Sequence, residues 1–428
     1  MAREYKDSGI EWIGQIPKEW KLATLKQIGT YINGYAFKPE DWTDSGKPII
    51  RIQDLTGSMG SPNFYNGELD SKYLVNKGDI LVSWAATLDA FIWEKEEGWL
   101  NQHIFKALPS SDVNYQFFYW LIKLAMENMN NDNKHGIVMQ HVTTKVFGNF
   151  AVCIPSVNEQ QKIADYLDKV CGEVDEMVAL QETMIEELKA YKQSVITEAV
   201  TKGLNPNAPM RDSGIDWIGK IPEHWKLEPL KYCFGRRSEK NNPVKTEERL
   251  SLSIDKGVTL YAEKTTNLDR FKEEFTQYQL AYPNDIVLNC MNMIVGAVGL
   301  SNYMGCVSPV YYVIYPIRQD INSLYYSYLL NIPTIRGVYY SLGKGIYAIE
   351  RGEGRVNTCR LKVAYNDFGR LEIPVPPIEE QMEITLYIQQ KCSEIDSLIV
   401  LKQAKIEELK EYKKSVIYEY VTGKKEVN

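Results

Sequence analysis

Pro155-Ser156-Val157-Asn158-Glu159-Gln160, together with the stretch that follows it to residue 203, decides the fold, because the chain carries it twice. It returns 221 positions later as Pro376-Pro377-Ile378-Glu379-Glu380-Gln381 and its continuation, with no gap and with 22 identities over 155–203. The period is helical. In the first copy Ile163, Val170, Met177, Met184 and Tyr191 recur every seven residues. Leu167, Val174, Leu188 and Val195 fall four positions later, with Gln181 breaking the series. The second copy places Ile384, Leu398 and Tyr412, then Ile388, Ile395, Leu409 and Val416, at matching positions, interrupted by Lys391, Lys402 and Lys405. This spacing predicts two long helices with apolar a/d seams that bury each other as an antiparallel coiled coil. Only Gly172 interrupts the run from Glu159 to Thr201, so about 43 residues give a helix of roughly 65 Å. Each helix follows its own globular stretch, so the pair is expected to carry two domains at opposite ends.

A second repeat alternates with the first. Asp7-Ser8-Gly9-Ile10-Glu11-Trp12-Ile13-Gly14-Gln15-Ile16-Pro17 returns 205 positions later as Asp212-Ser213-Gly214-Ile215-Asp216-Trp217-Ile218-Gly219-Lys220-Ile221-Pro222. The match runs on through Trp20-Lys21-Leu22 and Trp225-Lys226-Leu227. Trp and Ile set among Gly and Pro predict a docked apolar segment that opens each domain. Between the repeats lie two inserts, about 27–154 and 232–375. Strand-like runs (48–52, 79–83, 310–315) alternate with Gly, Asn and Asp turns, and helices are expected near 115–129 and 321–331. Gly78-Asp79-Ile80-Leu81 echoes Asn284-Asp285-Ile286-Val287, and Phe147 matches Phe368. The expected fold class is therefore mixed α/β (α+β). Two globular domains of one fold, 1–155 and 204–376, alternate with two long helices, 156–203 and 377–428, as an internal pseudo-two-fold repeat.

Composition is that of an ordinary soluble globular chain, without a run of about 18 apolar residues that would span a membrane. The N-terminus lacks the apolar core of a signal peptide. The seven Cys form no CxxC and no Cys/His cluster, which reads as reduced and cytoplasmic. The four His show no metal-ligand spacing, and no Gly-rich phosphate or adenosyl loop is present. Glu187-Leu188-Lys189 and Glu408-Leu409-Lys410 match a nuclease E-x-K but lie mid-helix without the preceding Pro-Asp. With no catalytic set, no cofactor and no metal are expected in this chain. The net charge of −7 argues against a polyanion partner until its distribution is read. The long-helix windows 156–203 and 377–424 carry all of it, which leaves the inserts neutral overall with local basic clusters.

The doubled frame closely resembles the specificity (S) subunit of type I restriction–modification systems, over essentially the whole chain. The motifs are D-S-G-I-[ED]-W-I-G-x-I-P-x-x-W, opening each domain, and P-x-x-x-E-Q, closing it. The third is I-E-E-L-K-x-Y-K-x-S-V-I, at 185–196 and 406–417. The resemblance implies a non-catalytic subunit whose two target-recognition domains each read half of a split sequence in double-stranded DNA. It also implies helices that hold the halves apart and dock two modification (methyltransferase) subunits and, through them, restriction subunits. S-adenosylmethionine, ATP and Mg2+ belong to those partners, and no membrane is involved. DNA contacts are expected from basic and amide side chains in the inserts. In the first these are Lys38, Arg51, Gln53, Lys134, His135, Gln140, His141, Thr143 and Lys145. In the second they are Arg236, Arg237, Lys240, Lys344, Tyr347, Arg351, Arg355, Asn357 and Arg360. Two rivals compete with this reading. One is a non-DNA coiled-coil adaptor with two ligand-binding modules; the other is a methyltransferase with a degenerate cofactor site.

Overall fold

The computed structural model describes residues 3–57, 62–85, 87–134, 144–254, 256–263, 274–346, 350–351, 355–356 and 360–427. The first long helix is Val157–Lys202 and the second is Ile378–Val421. The chain divides into two compact units, Met1–Glu182 with Gln403–Asn428, and Thr183–Lys402. Each unit therefore takes one part of each long helix.

Within the first unit, a four-stranded antiparallel sheet has the order Gly29–Asn33, Ile104–Pro109, Ile80–Ser83, Asp89–Ile92. The helix Tyr115–Lys134 covers it, burying Phe117, Phe118, Leu121 and Ala125 in the main core. A second small sheet joins Lys47–Ile50 to Gly98–Leu100, the only parallel ladder among the described strands. The second unit repeats the first arrangement with Phe234–Arg237, Tyr311–Pro316, Ile286–Asn289 and Val298–Leu300. Its covering helices are shorter, Ser323–Leu329 and Pro333–Leu342. The sheet repeated in both units is thus antiparallel with helices on one face, the α+β side of the expected mixed class.

The weak echoes between the inserts mark real equivalences. Gly78 and Asn284 both hold positive φ, +96° and +71°, and Asn284 is the only non-glycine residue to do so among the described ones. The next residue closes the same turn in each unit. Asp79 accepts from the Asn76 N–H at 2.8 Å, and Asp285 accepts from the Tyr282 N–H at 2.9 Å. Phe147 and Phe368 are both fully buried.

The repeated motifs close each unit. Lys21–Thr24 pairs with Ala151–Ile154, and Lys226–Pro229 with Glu372–Val375, so the strand that leaves each opening segment meets the strand that precedes a long helix. The Glu-Gln pair at the helix start then fastens both. Glu159 accepts from the Trp20 indole N–H at 3.0 Å, and Glu380 from Trp225 at 2.8 Å. The buried Gln160 side chain accepts from the Asn114 N–H at 2.7 Å and donates to the Pro155 carbonyl at 3.0 Å. Gln381 accepts from the Asn322 N–H at 2.8 Å and donates to the carbonyls of Pro376 and Asp320 at 2.8 and 2.9 Å. Buried backbone groups need partners, and these two amides supply them where sheet, covering helix and long helix converge.

In each unit the long helices run antiparallel. The first unit brings Tyr166 to Tyr420, ring centroids 4.4 Å apart, and Asp175 to Lys413 at 2.6 Å. In the second, Lys192 meets Asp396 at 2.7 Å and Lys402 Nζ meets Met184 Sδ at 3.3 Å. One line of the expected heptad seam is not fully buried. Met177 and Tyr191, and their equivalents Leu398 and Tyr412, are exposed, whereas Cys171, Ile185 and Ile406 are buried. Burial steps through Ile163, Leu167, Cys171, Val174, Ile185, Val195 and Ala199, close to about 3.6 residues rather than 3.5. The buried stripe is that of straight helices packed against a core, and it leaves the other line free.

Candidate nucleic-acid interface

The expected contact residues of the first insert occupy loops and short helices at the sheet edges. Lys38 is exposed, 3.5 Å from Glu40, and its N–H donates to Asp41 to start a single turn. The Arg51 N–H donates to Asp54 at 2.8 Å, capping the helix Ile52–Thr56, while its guanidinium lies 5.9 Å from the Trp42 ring. Gln53 opens onto a cleft of about 460 Å³ shared with Ile50, Asp54, Trp93 and Lys95. Lys145 is exposed on the helix Thr144–Gly148. Lys134 ends the covering helix, with only its backbone described. His135, Gln140, His141 and Thr143 lie outside the described residues.

In the second insert Arg236 and Arg237 are neighbours on the edge strand Phe234–Arg237 and do different things. Arg237 gives Nε and Nη2 to the two oxygens of buried Asp285 at 2.7 and 2.9 Å. Tyr282 and Tyr315 flank its guanidinium, each ring centroid 4.6 Å away. The Asp285 hydrogen bonds push its pKa still further up. Two of its donors are committed to Asp285, so its task there is to hold the turn at Asn284 against the edge strand. Arg236 is exposed and rests against Tyr312 and Tyr365 instead. Lys240 is exposed at an isolated bridge to Gln279. Lys344, its side chain 83% exposed, lies 3.7 Å from Asp367. Arg351, Arg355 and Arg360 belong to the strands Glu350–Arg351, Arg355–Val356 and Arg360–Val363, with only the backbone described; the first two are cross-strand partners. Tyr347 and Asn357 lie outside the described residues.

Lys362 was not among the expected contacts. It faces Lys344 directly across the ladder of Gly343–Ile346 and Arg360–Val363, and both are exposed. Like charges directly opposite repel, so this pair is suited to an anion that bridges it. Strand alternation was the available signal, since Arg360-Leu361-Lys362-Val363 buries Leu361 and Val363 and turns Lys362 outward.

The long helices present another chemistry. On the second, Met382, Leu386, Val400 and Leu401 are more than half exposed, Leu401 at 66%; on the first, so are Leu180 and Tyr191. In the second unit Val400 and Leu401 edge a groove of about 820 Å³ with Ile196, Tyr328 and Cys392. Among the described residues, no group of three His, Cys, Asp or Glu side chains is placed to hold a metal, and no helix is long and apolar enough to cross a membrane.

Residues 17–190 match the family model for the type I restriction modification DNA specificity domain. The "Type I restriction enzyme EcoBI specificity subunit" of Escherichia coli is 24% identical over 93% of this chain and 84% of its own length. Over most of its length this chain is similar to type I restriction specificity subunits. The MjaVIII specificity subunit of Methanocaldococcus jannaschii is 22% identical over 96% of this chain and 94% of its own. A solved chain described as the structural basis underlying complex assembly and conformational transition of the type I R-M system shares the fold. Its TM-score is 0.65 at 15% identity, over 95% of this chain and 98% of its own.

Proposed function

We propose that this chain is the DNA-reading, non-catalytic subunit of a type I restriction–modification complex. Each insert reads one half of a split, non-palindromic duplex target, and the long helices set the distance between the halves. S-adenosylmethionine, ATP and Mg2+ serve the methyltransferase and restriction partners. One observation carries this reading: the two units share a sheet order and a Trp–Glu–Gln closure, yet differ in the side chains mounted on that frame. A common scaffold with unlike readers suits a target with unlike halves. The exposed apolar residues of the long helices suit two methyltransferase subunits, and the helices' negative charge keeps that surface away from phosphates.

The test is competition binding by the chain assembled with its methyltransferase subunits, at several salt concentrations. Affinity is expected to fall steeply with salt, and base changes in either half of the target to weaken binding separately. Salt-independent association, or equal affinity for every duplex, contradicts the reading and favours the adaptor.

A further inference from the structure

The two units place different side chains at one equivalent position of their shared sheet. In the first unit Tyr31, on the edge strand, stands opposite Ala107. It meets Phe147 edge-on at 4.8 Å, and its hydroxyl donates to the Leu25 carbonyl at 3.0 Å. That side chain is spent on packing, and burial raises its hydroxyl pKa. In the second unit the same register position, opposite Ile314, is Arg236. Phe368 keeps the place of Phe147, but the arginine side chain emerges at the surface.

Arg236 is held there without being neutralised. Its guanidinium carbon lies 5.0 Å from the Tyr312 ring centroid and 4.9 Å from that of Tyr365. The two rings meet edge-to-face, 5.3 Å apart, and the Tyr312 hydroxyl is tied to the Val363 carbonyl at 2.8 Å. Among the described residues its guanidinium makes no hydrogen bond and no ion pair, unlike Arg237 beside it and Arg318, which binds Glu228 and Asp320. Stacking on aromatic faces fixes the plane of the fork while leaving its N–H groups free. The Tyr312–Val363 bond brings this site next to Lys362 and its cross-strand partner Lys344. The site thus combines one oriented, unspent fork with two lysines that repel each other.

From this geometry we propose that Arg236 reads a guanine of the half-site bound by the second unit, donating to O6 and N7 in the major groove, while Lys344 and Lys362 hold the adjacent phosphates. This rests on the proposed function, in which the second unit faces duplex DNA. A preoriented fork suits the bidentate guanine edge, whereas the lysine ammoniums act as point charges on the backbone.

The experiment uses the chain assembled with its methyltransferase subunits and a duplex carrying its methylated target. Each guanine in turn is replaced by 7-deazaguanine, which removes the N7 acceptor. Wild type is expected to lose roughly 5- to 150-fold in affinity at one guanine. Arg236→Lys, which keeps the charge and lacks the fork, is expected to lose that sensitivity. It should bind the substituted duplex as wild type does, with the wild-type salt slope. Unchanged sensitivity at every guanine overturns the assignment, as does a uniform loss on all duplexes with a shallower salt slope, which marks a phosphate contact. In both cases intact sequence-specific binding leaves the proposed function standing. Absence of any sequence-specific duplex binding by the wild-type complex overturns both.

Discussion

Gln381→Met tests the closure of the second unit. The substitution keeps the length and shape of a fully buried side chain but removes its amide. Three backbone groups then lose their partner: the Asn322 N–H and the carbonyls of Asp320 and Pro376. At about 1 kcal/mol net for each bond, the loss is ~3 kcal/mol, rising toward 6 kcal/mol if the stranded groups stay dry. For a folding unit of this size, 1 kcal/mol shifts the melting midpoint by about 2–4 °C, so the fall is roughly 6–12 °C at the lower figure. Differential scanning calorimetry reads the midpoint, and hydrogen exchange reads the Asn322 amide, which should lose protection before the rest of the covering helix. Gln160→Met in the first unit should cost less. Its amide makes two short bonds, and its third, to the Asp112 carbonyl, is 3.5 Å long. A midpoint within about 2 °C of wild type for Gln381→Met, with the Asn322 amide still protected, would show that the Gln381 amide does not fasten this junction.

Four further outcomes are expected. Asp285→Asn breaks a bidentate pair whose acid is buried and should cost about 3–5 kcal/mol in urea unfolding; a loss under 1 kcal/mol contradicts the structural role given to Arg237. Gly423→Ala places a Cβ 2.6 Å from Pro17 Cδ at a φ of +71°, so it should destabilise more than Gly14→Ala, where φ is +67° and the nearest atom is a flexible lysine tip at 3.8 Å; equal effects rule out the close approach as the cause. Burial pushes the Cys153 thiol up to about 12 and those of Cys171, Cys233 and Cys306 to about 11. The stability this gives is fully present below about pH 8.5 and lost as pH rises through 11 to 12, so replacing all four by Ala should flatten the alkaline fall of the unfolding free energy. An unchanged pH slope rejects it. Leu386→Lys with Leu401→Lys should weaken co-purification with the proposed methyltransferase partners while leaving the melting midpoint alone, since both side chains are already about two-thirds exposed; undiminished co-purification removes that face from the proposed docking surface.

The long helices and the sharing of one fold by the two inserts were legible because duplication doubles a weak signal. A lone Gly78-Asp79 turn says little, but the same turn at Asn284-Asp285 marks a shared backbone. The seam was legible only in part. Tyr191 and Met177 fit a heptad by residue type, but a helix packed on a globular core follows 3.6, and the extra lines rotate outward. The contact residues were least legible, because charge alone does not distinguish Arg236 from Arg237. One is spent on Asp285, a partner 48 positions away, and the other rests on Tyr312 and Tyr365, still more distant in sequence. In sequence Lys362 is only one member of a basic cluster, because its meaning as a contact comes from the lysine opposite it.

One frame here carries two unlike inserts, each expected to read DNA independently. The most direct test is to map methylated adenines in cells whose only type I system carries this chain, before and after residues 232–375 are exchanged for the matching insert of a relative. The expected result is a split target in which one half and the spacer persist while the other half changes. A target unchanged by the exchange, or altered in both halves, would contradict it.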